Sequence, residues 1–211
     1  MNPLARMQRG LETLYRVHTG VEVGDFMIGE AARDELAPQR RPREQLLVVE
    51  DTGEMALALF IHPAVLANLQ RHDPARLGDH NLGDFLLAIE GVSHFIYAIQ
   101  CARADRPVTQ LELELQAEVD KYVTCLLQTE THAGASEALR QRLFGECAYE
   151  DDLDGDERER YRVANDNAHR YAAWLEETFV ARGRIPEMLG ELRRFYRQGL
   201  AGKLGTIARA A

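Results

Sequence analysis

The chain has 211 residues, 45% of them apolar and 28% charged, a balance that belongs to a folded globular protein and excludes wholesale disorder. Its formal charge of −9 opposes attraction of the whole molecule to nucleic acid or to an anionic membrane surface. Cys101, Cys125 and Cys147 are widely spaced and form no Cys-x-x-Cys pair, so neither a disulfide framework nor a zinc knuckle is indicated, and a reducing, cytoplasmic setting is expected.

The opening Met1-Asn2-Pro3-Leu4-Ala5-Arg6 is followed by no apolar signal core. Residues 1–17 instead suit an amphipathic helix, with Leu4, Met7, Leu11, Leu14 and Tyr15 along one side. Val21 to Ile28 reads as a strand, and residues 37–44, with two prolines and three arginines, read as a loop. The clearest β signal follows. Leu46 to Glu50 and Met55 to Ile61 flank Asp51-Thr52-Gly53-Glu54, which predicts a hairpin whose turn uses Gly53. The second of these runs is apolar on both faces, so another layer is expected to cover it. Pro63 opens a helix that runs to Arg71.

Beyond Gly78 the pattern is helical. Leu82 to Ala104 and Thr109 to Gln128 flank the turn Asp105-Arg106-Pro107-Val108, and Thr109-Gln110-Leu111-Glu112 has the form of a capping box. Leu82 to Ala104 is the longest apolar stretch, but Asp84, Glu90 and Arg103 interrupt it short of the ~18 residues of a membrane span. Further helices are predicted at Ser136 to Phe144, at Glu157 to Ala181 and at Pro186 to Gln198. The long one has Tyr161, Ala164, Ala168, Ala172, Leu175 and Phe179 as its inward stripe. Gly199, Gly202 and Gly205 predict a loosely structured tail. The fold class is therefore α+β and predominantly helical, a small N-terminal β-hairpin packed on a multi-helix bundle. A single domain over 1–211 is expected, with a β-containing part at 1–62 and a helical bundle with a basic C-terminal tail at 63–211.

Ionisable residues on apolar helix faces mark the candidate site. Glu90 and His94 stand four residues apart and share a face. If the two long helices pack as a simple antiparallel hairpin, residue i lies level with about residue 212−i, which sets His94 against Glu118. Glu118 lies among Leu111, Leu115, Tyr122 and Leu126; a small rotation of the helix would turn Glu114 inward instead. Asn165-Asp166-Asn167 and His169 interrupt the long helix with poor helix formers, and a local inconsistency of that kind suits a functional site. Glu90, His94, Glu118 and His169 are accordingly the candidate ligands of a divalent transition metal, for which helix axes ~8–10 Å apart leave room. The competing explanation is a set of ordinary ion pairs, with Glu118 bonded locally to Lys121 or Tyr122. The spacing is neither the Glu-x-x-His repeat of di-iron carboxylate bundles nor the His-Glu-x-x-His of zinc proteases.

Asp152, Asp154 and Asp156 alternate as calcium-loop ligands do, but the sixth and twelfth positions of such a loop hold Glu157 and Val163, so the acids read as a solvated run before a helix. The segment from Arg182 to Ala211 has seven basic residues against two acidic ones, a net +5, and Arg193, Arg194 and Arg197 beside Phe195 and Tyr196 are the candidate partner-binding residues. No nucleic-acid-binding motif accompanies them, so a protein partner is expected ahead of nucleic acid. No Gly-x-Ser-x-Gly elbow, phosphate-binding loop or dinucleotide turn occurs. Two functions follow: a non-catalytic cytosolic adaptor acting through protein contacts, favoured by the missing catalytic motifs, and a metal-binding helical protein or metal-dependent enzyme.

Overall fold

A computed structural model describes residues 2–51, 54–128, 133–145 and 154–210. Its helices and one antiparallel strand pair make the protein α+β and predominantly helical, as the sequence predicts. The chain divides into two compact units, Met1–Thr13 with Val17–Pro107, and Leu14–Arg16 with Val108–Ala211.

In the first unit, α1 (Pro3–Tyr15) buries Leu4, Met7 and Leu11. Its polar residues capture the segment that follows. Gln8 Nε2 donates to the Thr19 hydroxyl at 2.9 Å and to the Val21 carbonyl at 2.7 Å, while Gln8 Oε1 accepts from the Val23 N–H at 2.8 Å. Glu12 Oε1 accepts from both the N–H and the hydroxyl of Thr19. The strand expected at Val21 to Ile28 does not form, because side chains of α1 take backbone groups that a ladder would use. Val23–Phe26 is instead a 3-10 turn, and Met27 makes a single parallel bridge to Leu59. Helix α2 (Glu30–Leu36), absent from the sequence reading, is anchored by Arg33, whose buried guanidinium lies 4.3 Å from the Phe60 ring centroid and donates to the Pro42 carbonyl.

The predicted hairpin is present. β1 (Glu44–Asp51) and β2 (Glu54–Ile61) pair from Glu44↔Ile61 to Asp51↔Glu54, and Thr52-Gly53 lie outside the described residues. Its base packs on α4 (Leu82–Arg103), with Leu59, Phe60 and Ile61 buried. The covering layer reaches no farther than the base: Val48 and Val49 are 43% and 59% exposed. α3 (Pro63–Arg71) starts at its proline, with His62 Nδ1 accepting from the Ala64 N–H. α4 is buried on nearly every side. It is long and apolar enough to cross a membrane, yet 72% of that stretch is buried within the protein, the character of a core helix.

The second unit contains α5 (Gln110–Gln128), α6 (Ala133–Phe144), α7 (Gly155–Thr178), α8 (Ile185–Tyr196) and α9 (Leu200–Ala210). α7 packs on α5, α6 and α9, and its small residues Ala164, Ala168 and Ala172 are all buried, which lets neighbouring helices come close. It starts two residues before the expected Glu157, because Asp154 and Glu157 form a reciprocal capping box. It ends at Thr178, and Val180–Arg182 continues as a 3-10 turn. The tail expected to be loosely structured is the helix α9. Burial of Ile207 and the partners that Lys203 finds in Gln116 and Phe195 offset the ~1 kcal/mol that each interior glycine, Gly202 and Gly205, costs.

The start of α5 is fixed as its sequence predicts: the Glu112 N–H donates to the Thr109 hydroxyl at 3.2 Å. Thr109→Ala removes that cap from an exposed position and should cost ~1 kcal/mol, read as a fall of about 2–4 °C in Tm, whereas Thr109→Asp should keep it. Equal melting of all three proteins would show that the cap contributes nothing.

Candidate functional site

An apolar helix interior has few means of satisfying charge, so the ionisable residues of α4 need partners nearby. His94 is buried, and its Nδ1 lies 3.6 Å from Oε1 of Glu44, the first residue of β1; each of the two side chains is 8% exposed. Glu90, one turn earlier on α4, has a carboxylate oxygen within 4.8 Å of a ring nitrogen of His94. The first unit thus sets an imidazole near two carboxylates, one from its own helix and one from the hairpin base. Arg43, the residue before Glu44, reaches Asp84 Oδ1 at 2.7 Å, and Asn68 of α3 donates to Asp84 Oδ2 at 2.7 Å, so the entry of β1 is tied to α4 at a second point.

Glu44 did not emerge from the sequence, because nothing in a strand pattern says that its first residue will lie along a distant helix. A signal did exist at Gly91. Glycine inside a helix costs ~1 kcal/mol against alanine and wants a reason. Here a Cβ would stand 2.9 Å from Glu44 Oε1, 3.0 Å from its Cγ and 3.1 Å from Leu59 Cδ1. Gly91 is the slot into which the Glu44 side chain lies.

The other candidate residues belong to the second unit. Glu118 pairs with Lys121 at 2.6 Å, the local bond weighed as the alternative, and Glu114, the other glutamate weighed for that face, is more buried than Glu118. The hairpin rule that levels His94 with Glu118 concerns residues of different units. His169 is held from two sides within its unit. Arg140 NH1 donates to His169 Nε2 at 2.7 Å while its Nε donates to Glu176, and the imidazole stacks on Phe144 at 5.6 Å. Because the guanidinium can only donate, Nε2 is the acceptor and the ring is neutral. Burial, reinforced by the Arg140 charge and opposed by Asp166, holds its pKa below the ordinary value.

Arg193 Nε donates to the Leu14 carbonyl at 2.8 Å and Arg197 NH2 to the Tyr15 carbonyl at 3.2 Å. These are last-turn carbonyls of α1, which lack helical partners, and cations suit that end of a helix. Arg194 forms an ion pair with the buried Glu191. Arg193 and Arg197 thus hold the end of α1 within this unit, while the Arg194 side chain stays 70% exposed. Cys101 and Cys125 are buried, and burial pushes the Cys125 thiol up to about 12, as befits a small core residue. Cys147, His132 and the acidic residues 146–153 lie outside the described residues.

What the first unit offers chemically is a pair of donors on one helix face, with a second carboxylate, that of Glu44, near His94 Nδ1. Two ligand atoms each ~2.1 Å from one ion stand at most ~4.2 Å apart, so small side-chain rotations would bring Glu90 and His94 onto one cation. Comparison with family models, with curated proteins and with solved structures finds no match to this chain.

Two measurements probe these arrangements. Gly91→Ala at an open helical site would stabilise by ~1 kcal/mol; here the gain should be lost, because the new methyl displaces Glu44. In that background Glu44→Gln should have no further effect on stability, and a cycle that stays additive would place Glu44 elsewhere. For His169, the folded state disfavours the proton more than the unfolded chain does. The Arg140–His169 contact therefore adds stability above about pH 6.5, and that stability is lost as pH falls through the lower folded-state pKa. The difference in denaturation midpoint between wild type and His169→Ala should narrow from pH 8 to pH 5. A constant difference would mean that the ring nitrogen does not bond Arg140.

Proposed function

We propose that this protein binds a divalent transition-metal ion through Glu90 and His94 of α4, with Glu44 orienting the imidazole. The observation that carries the reading is the buried approach of Glu44 to His94 Nδ1, with Glu90 one helical turn away. At 3.6 Å the two are within ion-pair range and short of a hydrogen bond; a slight approach would let Glu44 accept from Nδ1–H, the arrangement that commonly supports histidines that ligate a metal through Nε2. An imidazole and a carboxylate suit zinc, manganese, iron, cobalt or nickel better than calcium. Water would complete the coordination, and a bound ion of this kind would polarise that water or a substrate oxygen. The adaptor reading had Arg193, Arg194 and Arg197 as its contact residues, and their bonds within the second unit make it the less supported of the two.

The test is a titration of protein prepared without an affinity tag and stripped by chelator, using cobalt(II), whose visible absorption reports nitrogen and oxygen ligation. Wild type should take up one ion. His94→Ala and Glu90→Ala should each abolish uptake, and Glu44→Gln should weaken it by roughly 10–100-fold. At 100 times the Kd, cobalt should stabilise the wild type by ~2.7 kcal/mol and leave His94→Ala unmoved. Uptake that survives His94→Ala, or no uptake together with a loss of ~3–5 kcal/mol on breaking the Glu44–His94 contact, would make this a structural ion pair and end the proposal.

A further inference from the structure

Lys203 is fully buried, although it lies on α9, a helix with two interior glycines and one other buried residue, Ile207. Its ammonium donates to Gln116 Oε1 and stands 4.5 Å from the Phe195 ring centroid and 5.9 Å from that of Tyr196. The Gln116 amide donates to Asp120 Oδ1 at 2.8 Å and to the Tyr15 hydroxyl at 3.2 Å, and Tyr15 donates to the same Asp120 oxygen. Tyr15 stacks on Tyr196 at 4.0 Å, and Tyr171 stacks on Phe195 at 4.1 Å, which fixes the rings of the box. All of these residues belong to the second unit.

The chemistry of this enclosure is selective. An amide oxygen aimed at the cation, a carboxylate behind it and two aromatic faces are the groups that recognise an ammonium. None of them comes from α9. Gln116 and Asp120 are on α5, Phe195 and Tyr196 on α8, and Tyr15 is the last residue of α1. α9 contributes the occupant alone.

We propose that Tyr15, Gln116, Asp120, Phe195 and Tyr196 form a binding site for a primary alkylammonium group, that Lys203 is its internal ligand, and that undocking of α9 opens it to an external one. The proposal is independent of the cation site in the first unit. α9 is suited to such a role because two glycines weaken it as a helix and only two of its described side chains are fully inside the unit.

Lys203→Ala removes a fragment equivalent to n-propylammonium. The variant should melt at least about 6 °C below wild type, as expected for a buried cation deleted from its partners. Addition of n-propylammonium chloride should recover about half of that loss, while 1-propanol and sodium chloride at the same concentration should not. Lys203→Met, which fills the space with an apolar chain, should show no rescue. If Lys203→Ala does not fold, its refolding yield with and without propylammonium is the readout, with the same controls. In the wild type, excess n-butylammonium should speed hydrogen exchange in residues 200–210 and leave that of α5 unchanged. Equal rescue by propanol would show a cavity that does not recognise charge. That outcome, no rescue at all, or unaltered exchange in α9 overturns the proposal.

Discussion

Burial of charge is the constraint on which the first unit depends. α4 is apolar around most of its circumference, and an imidazole inside such a helix must find polar company or be lost to desolvation. The company comes from the hairpin, whose first residue Glu44 lies against His94 through the slot left by Gly91. Together with the Arg43–Asp84 ion pair, that contact holds the start of β1 along the helix, and the apolar residues of β2 follow by pairing: Glu44 opposite Ile61, Gln45 opposite Phe60, Leu46 opposite Leu59. Farther from that anchor the strands leave the protein surface and Val48 and Val49 meet solvent.

The second unit solves the same problem with a network. Lys203, Gln116, Asp120 and Tyr15 satisfy one another in a chain of hydrogen bonds, and aromatic faces supply the rest. Burial and the neighbouring Asp120 carboxylate keep the Tyr15 phenol well above its ordinary pKa, so it stays a donor to Asp120. A network of this kind is favourable when each member is paired and costly when one is removed, which ties the ends of α1 and α9 to α5 within this unit.

Local patterns were legible and long-range ones were not. The capping box at Thr109, the proline start at Pro63, the alanine stripe of α7 and the hairpin at Leu46 to Ile61 could be read because each is written in residues close in sequence. The strand expected at Val21 failed because Gln8, 13 residues upstream, takes the Val21 carbonyl and the Val23 N–H. The tail failed as a prediction because glycine propensity cannot foresee that Lys203 will be buried. At the candidate site Glu90 and His94 could be seen through helical spacing, while Glu44 could not. Arg193 and Arg197 illustrate the same limit, since composition reports their charge and says nothing of the α1 carbonyls to which they donate.

The position of Glu44 gives the proposed cation site a consequence for the fold. A ligand histidine whose other nitrogen is held by a strand residue couples metal occupancy to that strand. A cation at Nε2 would draw charge from the imidazole and make Nδ1–H a stronger donor, which would draw Glu44 closer than its present 3.6 Å. The hairpin base would then be firmest in the loaded protein. The same coupling runs in reverse by linkage: whatever grips the outer end of the hairpin and changes the lie of β1 changes the orientation of His94, and with it the affinity for the ion.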